Sequence, residues 1–343
     1  MAVRTLAIKY RPTNWDDVTE QESIKIILQQ QLETGEIKNA YLFCGPAGCG
    51  KTTAARIFAN EINKGHGTPI EMDAASNSGV EDVRNITSQA KMKSMDSEYK
   101  VFIIDECHSI SPTGWQAFLK LIEEPPAKSI FIFCTTDPQK IPKTILSRVQ
   151  RYDFKRISQQ GIVERLWYVL EHENYTTDKN VREAVEYIAK LAEGGMRDAL
   201  SLMDKCLSFD NNLTLENVVK ALGTVDYTVM MNLTNYIIKG ETQQALQCID
   251  DMYAEGKDIK QFVNQYVKFL LDIQKYAIGC DFKYMQLPAL EQNMEWLDNM
   301  TDNDLDKLYG VLKDVIKLNS DIKWSQTPKY DLQAVVLLAC REG

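Results

Sequence analysis

Eight consecutive residues, Gly45-Pro46-Ala47-Gly48-Cys49-Gly50-Lys51-Thr52, fit the pattern G-x-x-x-x-G-K-[ST], in which a glycine-rich turn wraps phosphate oxygens. The glycines let the backbone curl so that its N–H groups converge on one point. An apolar run, Tyr41 to Cys44, precedes the motif, and a helix-forming run, Thr53 to Ile62, follows it. A helix beginning near Gly50 aims the positive end of its dipole at the same point. Lys51 is expected to reach the β- and γ-phosphates of a nucleotide, and the Thr52 hydroxyl to bind Mg²⁺.

A second chemical signal lies downstream. Val101-Phe102-Ile103-Ile104 is a continuous apolar run closed by Asp105-Glu106. Such a run predicts a strand buried on both faces of a parallel sheet, and ligands in open α/β sheets sit at the carboxyl ends of the strands. Asp105 is therefore expected to hold Mg²⁺, directly or through water, and Glu106 to orient and polarise the attacking water. A switch GTPase positions that water with Gln; an adjacent Glu suits an ATP-hydrolysing motor. Cys107 and His108 follow at once, but no second ligand pair stands nearby at zinc spacing, so a metal centre is not expected there.

These residues need elements to hold them. Short apolar runs at Tyr41–Cys44, Pro69–Met72, Val101–Ile104, Ile130–Cys134 and Gln150–Phe154 alternate with helical patterns near 52–63, 79–92 and 113–123. That alternation predicts an α/β domain with a parallel sheet over residues 1–156. Beyond it the texture becomes helical. Ser158 can cap a helix with an apolar face of Ile162, Val163, Leu166, Trp167 and Leu170, and two more helices, 178–192 and 196–208, complete a small three-helix domain over 157–222. From about residue 214 nearly everything carries helical periodicity, with patterns at 225–239, 241–254, 258–278, 302–319 and 328–341, and residues 223–343 are expected to form an all-helical domain.

Composition sets limits. The net charge of −9 argues against a broadly basic nucleic-acid coat while leaving room for DNA on a local patch. No run reaches the length of a membrane span, and the N-terminus lacks a signal-peptide core. The eight cysteines show no disulfide framework, and several fall in apolar strand-like runs, which suits a reducing, cytoplasmic compartment.

Further motifs appear in a fixed order: Lys9-Tyr10-Arg11-Pro12 with Trp15-Asp16-Asp17-Val18; Asp73-Ala74-Ala75-Ser76-Asn77-Ser78-Gly79-Val80-Glu81-Asp82-Val83-Arg84; Cys134-Thr135-Thr136-Asp137-Pro138-Gln139-Lys140; Leu146-Ser147-Arg148-Val149; and Gly194-Gly195-Met196-Arg197-Asp198-Ala199-Leu200. With the phosphate loop and the acid pair, this series resembles the AAA+ ATPase subunits of replicative clamp loaders, most closely the bacterial gamma/tau family of DNA polymerase III. The match is strong over residues 4 to about 225 and looser beyond. The resemblance implies an AAA+ P-loop NTPase domain, a helical lid and an all-α collar that assembles the ring.

The family likeness also assigns roles. Tyr10, Arg11, Pro12 and Val18 would contact base and ribose, and the loop from Gly45 to Thr53 the phosphates. Thr136, or else Thr135, would be the sensor reading the γ-phosphate. Arg148 would reach into the neighbouring subunit's site as an arginine finger; Val149 stands where the family has Cys, a similarly small apolar residue. Arg197 would contact the γ-phosphate from the lid, with Asp198 complementing the helix dipole. Asn77, Ser78 and Arg84 would face the DNA backbone, although Asn77 and Gly79 occupy positions that are basic in related loaders.

The implied function is an ATP-hydrolysing motor subunit that opens a sliding clamp and loads it onto primer–template DNA. It would use ATP and Mg²⁺ and work in a ring, pentameric in the family, with copies of itself or homologous subunits, in a bacterial or phage-infected cell. One departure is clear. The family's four-cysteine zinc module is replaced by Asn63-Lys64-Gly65-His66-Gly67-Thr68, so zinc is not expected and His66 is a loop residue. Two alternatives remain at this point. A non-hydrolysing scaffold subunit would usually lack Lys51 or the acid pair. A ring helicase or branch-migration motor would usually end in a winged-helix domain, whereas the last ~120 residues show only helical patterns.

Overall fold

The computed structural model describes residues 5–77, 79–92, 94, 96–175, 179–222, 227–281, 284–285 and 294–341. In chain order, a short helix α1 (Leu6–Lys9) and helix α2 (Glu22–Thr34) precede strand β1 (Ala40–Cys44). Then come α3 (Lys51–Ile62), β2 (Ile70–Asp73), α4 (Val80–Ala90), β3 (Lys100–Asp105), α5 (Pro112–Glu123), β4 (Ser129–Thr135), α6 (Lys143–Leu146) and β5 (Gln150–Asp153). All five expected strands are present, and they pair in parallel in the order β2-β3-β4-β1-β5.

Alternation along the central strands divides the core in two. Tyr41, Phe43, Val101, Ile103, Ile130, Ile132 and Cys134 face α2 and α3, while Leu42, Cys44, Phe102, Ile104, Phe131 and Phe133 face α4 and α5. Because side chains alternate with period two, strands covered on both faces read as unbroken apolar runs. Phe133 packs its ring 5.5 Å from Trp115 and 5.2 Å from Phe118 and is fully buried. Phe133→Ala is expected to cost about 3–5 kcal/mol, read as a lower urea midpoint for unfolding of the sheet domain. A cost below about 1 kcal/mol would mean that this aromatic cluster is not packed as described.

Helix α2 was not expected from the sequence. Ile24 and Leu28 are buried at i, i+4 spacing and Gly35 closes the helix at φ 72°, but Gln21 caps its start in a left-handed conformation with no side-chain hydrogen bond. The usual start signal is therefore missing. Helix α5 does carry its signals: Ser111 accepts a hydrogen bond from the Gly114 N–H at 3.2 Å, and Pro112 opens the helix.

The lid helices follow as α7 (Gln159–His172), α8 (Lys179–Leu191) and α9 (Met196–Phe209). The buried face of α7 is Ile162, Val163, Leu166, Val169 and Leu170; Trp167, expected inside, is only half-buried. The chain divides into two compact units, Met1–Asn212 and Leu213–Gly343; the lid-to-collar boundary expected from the sequence falls at 222/223.

The second unit holds α10 (Leu215–Leu222), α11 (Tyr227–Lys239), α12 (Thr242–Ala254), α13 (Ile259–Ala277), α14 (Met294–Asp298), α15 (Asp302–Asp321) and α16 (Pro328–Arg341). Helix α13 is its axis, with Phe262, Tyr266 and Phe269 fully buried. The Tyr266 hydroxyl, which needs a partner at that depth, lies 3.0 Å from the Thr234 hydroxyl.

Candidate nucleotide and magnesium site

The phosphate loop connects β1 to α3. A side chain at Gly45 (φ 153°) would place Cβ 2.6 Å from the Phe154 carbonyl oxygen. At Gly48 (φ 71°) it would lie 2.9 Å from Gly195 Cα, where the lid helix α9 begins. The Gly48 carbonyl accepts the Met196 N–H at 3.0 Å, and the Gly45 N–H donates to the Thr135 carbonyl at 3.1 Å. The loop is thus fastened to β4 and the lid, and Gly45 packs closely against Phe154, just past β5.

Lys51 opens α3 and is only 6% exposed. Its Nζ donates to the carbonyls of Gly45 (2.8 Å) and Pro46 (2.7 Å), and among the described residues no carboxylate pairs with it. A buried ammonium without a counter-charge is costly. The α3 N-terminus, which has no side-chain cap, adds its own positive field. Both features fit a bound polyphosphate. Beside them the Thr52 hydroxyl donates to Asp105 Oδ2 at 2.8 Å. A hydroxyl and a carboxylate at this spacing form a hard oxygen donor set that fits Mg²⁺.

Asp105 ends β3, in register with Asp73 of β2. Glu106 follows with φ 46° and ψ 43°, a left-handed backbone that a non-glycine residue adopts at a cost of roughly 1–2 kcal/mol. Its Oε2 accepts the Thr136 hydroxyl at 3.0 Å. The Thr135 side chain instead points inward, where its Oγ1 accepts the Asp137 N–H at 3.0 Å and lies 3.2 Å from His108 Nδ1. Of the two threonines expected as sensor, Thr136 is the one beside Glu106.

Tyr10, Arg11, Pro12 and Val18 line one cleft with Ala47, Gly48, Cys49, Gly50, Lys51, Thr52, Thr53, Asp105, Glu106 and Arg197. Gly45 and Pro46 shape the loop without lining that cleft. The N-terminal arm is tied to lid helix α7: Lys9 and the Tyr10 hydroxyl both donate to Glu173, and Arg165 donates to the Tyr10 carbonyl at 3.1 Å. Partial burial, reinforced by Glu173, pushes the Tyr10 hydroxyl up to about 12, so it stays protonated and donating. Lys9 and Tyr10 in turn hold the Glu173 carboxyl below its usual range.

Arg165 also lines the cleft, its guanidinium 4.7 Å from the Tyr168 ring centroid. The sequence offered no hint of this, because its partner carbonyl lies 155 residues away. The thiols of Cys44, at the end of β1, and Cys49, in the loop, are both buried. Burial raises Cys49, with Lys51 opposing only in part, and carries Cys44 to about 11.

Arg148 stands apart from this cleft. Its Nη1 donates to the Thr144 carbonyl (2.8 Å) and to Ser147 Oγ (3.0 Å), and its Nη2 lies 2.9 Å from Glu123 Oε1, with both side chains well exposed. Between β2 and α4, the Asn77 side chain donates to the Asp73 carbonyl, and Arg84 is exposed on α4. Arg84 makes no ion pair with Glu81 among the described residues; Ser78 lies outside them. After α3, the Asn63 side chain clasps the backbone of Tyr99 with two hydrogen bonds. Among the described residues no three His, Cys, Asp or Glu side chains are grouped as metal ligands, and no helix is long and apolar enough to cross a membrane.

Comparison with known proteins meets this geometry. Residues 161–212 match the family model for the ATPase lid domain of the DNA polymerase III clamp loader subunit, and residues 213–341 match domain III of DNA polymerase III subunits gamma and tau. Residues 68–158 match the model for the DNA polymerase III delta subunit. The tau subunit of Bacillus subtilis is 34% identical over 99% of this chain. The chain belongs to the gamma/tau family of DNA polymerase III. The tau subunits of Salmonella typhimurium (30% identical over 99% of the chain) and Escherichia coli (32% over 85%) are further relatives. The chain spans 64%, 56% and 49% of these three proteins respectively.

Among solved structures, the Thermotoga maritima RuvB Holliday junction branch migration motor aligns with a TM-score of 0.52 at 20% identity, covering 66% of this chain and 79% of its own. A mutant of the same RuvB aligns with a TM-score of 0.53 at 18% identity, covering 83% and 91%. At that identity the likeness speaks for the fold, an AAA+ P-loop NTPase, and leaves the task open.

Proposed function

We propose that this chain is an ATP-hydrolysing motor subunit of a sliding-clamp loader. One observation carries the reading. A buried Lys51, paired with no carboxylate among the described residues, and the Thr52–Asp105 and Thr136–Glu106 pairs converge at the ends of β1, β3 and β4. A scaffold subunit would have no use for the complete set.

In this reading the loop from Gly45 to Thr53 holds the triphosphate of ATP, while Tyr10, Arg11, Pro12 and Val18 hold base and ribose. Mg²⁺, held by Thr52 and Asp105, would offset the charge on the β- and γ-phosphates. Glu106 takes the proton of the attacking water and Thr136 fixes its carboxylate. Arg197, at the start of α9, reaches the γ-phosphate in cis, so the lid angle follows the nucleotide. Arg148 completes the site of the next subunit in the ring.

Asn77, Ser78 and Arg84 hold the DNA backbone, and the all-helical second unit assembles the ring with copies of this chain or its homologues. ATP binding orders a spiral of subunits that grips an open ring clamp and then primer–template DNA. Hydrolysis releases the closed clamp. The eight unpaired thiols suit work in the reducing cytoplasm.

Two measurements test this. Lys51→Ala is expected to weaken binding of a fluorescent ATP analogue by roughly 10- to 100-fold, the worth of one or two charge-assisted hydrogen bonds. Unchanged affinity would move the phosphates elsewhere. The chain, assembled with its partner subunits, is expected to co-purify with a ring-shaped polymerase clamp in a non-hydrolysable ATP analogue and to release it in ADP. Failure to retain any ring clamp would refute clamp loading and leave the nucleotide site standing.

A further inference from the structure

We infer that His108 is a positioning residue for the general base, an inference that rests on the reading of Glu106 above. His108 sits in the tight turn Cys107–Ser109 that follows β3 and is mostly buried, its side chain 19% exposed. Its Nδ1 faces two oxygens, Thr135 Oγ1 at 3.2 Å and Glu106 Oε2 at 3.3 Å. The imidazole thus bridges the end of β3 to the end of β4.

The proton inventory fixes its role. Thr135 Oγ1 already accepts the Asp137 N–H. If the Thr135 hydroxyl also donated to a bare Nδ1, the lone pairs of Nδ1 and the carboxylate would face each other across 3.3 Å. A proton on Nδ1 removes that conflict, because an N–H can be shared between the threonine oxygen and Glu106 Oε2. The Thr136 hydroxyl approaches the same carboxylate oxygen at 3.0 Å. Both contacts fall on Oε2, and among the described residues no side chain hydrogen-bonds Oε1. His108 and Thr136 therefore hold one oxygen of the base and leave the other clear for water. This matters at Glu106 because its backbone is left-handed, and a carboxylate on a strained turn needs outside support to stay aimed.

The test compares three variants in the assembled complex with clamp and primed DNA. His108→Leu removes the N–H and is expected to lower kcat by about 10- to 100-fold, the cost of a misplaced catalytic group, with the KM for ATP unchanged. His108→Asn places an amide N–H where Nδ1 stood and is expected to keep kcat within about 3-fold of wild type. His108→Gln carries its N–H near the Nε2 position and is expected to resemble the leucine variant. The Asn–Gln contrast reads the proposal even if the leucine variant fails to assemble. Wild-type kcat in His108→Leu, or equal losses in Asn and Gln, would overturn it. Glu106→Gln in the same assay separates the two levels. If it turns over normally, the reading of Glu106 fails and takes this inference with it. If it is inactive while His108→Leu is normal, only the inference fails.

Discussion

Glu106→Gln is expected to reduce ATP turnover by about 10²- to 10⁴-fold, the usual contribution of a positioned general base, while ATP still binds. The substitution keeps the size of the side chain and its acceptor toward the Thr136 hydroxyl, 3.0 Å away. It removes the negative charge and with it the ability to take a proton. Lys51 and the Thr52–Asp105 pair, which would hold phosphate and Mg²⁺, do not touch Glu106 Oε2. Affinity for a fluorescent ATP analogue should therefore change by less than about 3-fold, since no charge-assisted contact to phosphate is lost. The variant complex should hold ATP without consuming it and stay locked on its clamp. A turnover within about 10-fold of wild type would show that another group activates the water.

Arg148→Ala is expected to be at least as damaging. An arginine finger is worth about 10³- to 10⁵-fold in kcat, because a planar, permanently charged guanidinium can meet two phosphoryl oxygens at once. Within its own chain Arg148 is held by Glu123, Ser147 and the Thr144 carbonyl, away from the residues that line the nucleotide cleft. An exposed ion pair of this kind contributes only about 0–1 kcal/mol. The charge of a neighbour's triphosphate can therefore draw the side chain off Glu123 at little cost. The loss should appear only in assembled complexes. The isolated chain should bind nucleotide as well as wild type, since its own cleft does not include Arg148. Full turnover in an assembled Arg148→Ala complex would remove the residue from the reaction.

The sheet and the phosphate loop were legible because their signals are local. Glycines at fixed spacing, an apolar tetrapeptide before Asp105 and the Pro112–Glu123 helix each carry their reason within a dozen residues. Helix α2 was not legible because its start lacks a capping side chain. Arg165 carries no sequence signal because its contact with Tyr10 joins segments 155 residues apart. Beside Cys107, His108 suggests only a metal ligand in the sequence, which shows neighbours along the chain and not the β4 threonine and Glu106 carboxylate that meet its ring. The pairing of Arg148 with Glu123 is of the same kind. Which of Thr135 and Thr136 stands beside Glu106 turned on one residue of strand register, with Thr135 opposite Cys44 in the buried sheet.

The most direct test of a site shared between two subunits is a mixing experiment in the reconstituted complex. Glu106→Gln chains keep a working Arg148, and Arg148→Ala chains keep a working Glu106. Each variant alone should be inactive. Mixed before assembly, they create junctions where an intact arginine meets an intact base, and ATP turnover stimulated by clamp and primed DNA should return. A mixture as silent as its components, in rings shown to contain both chains, would contradict the shared site.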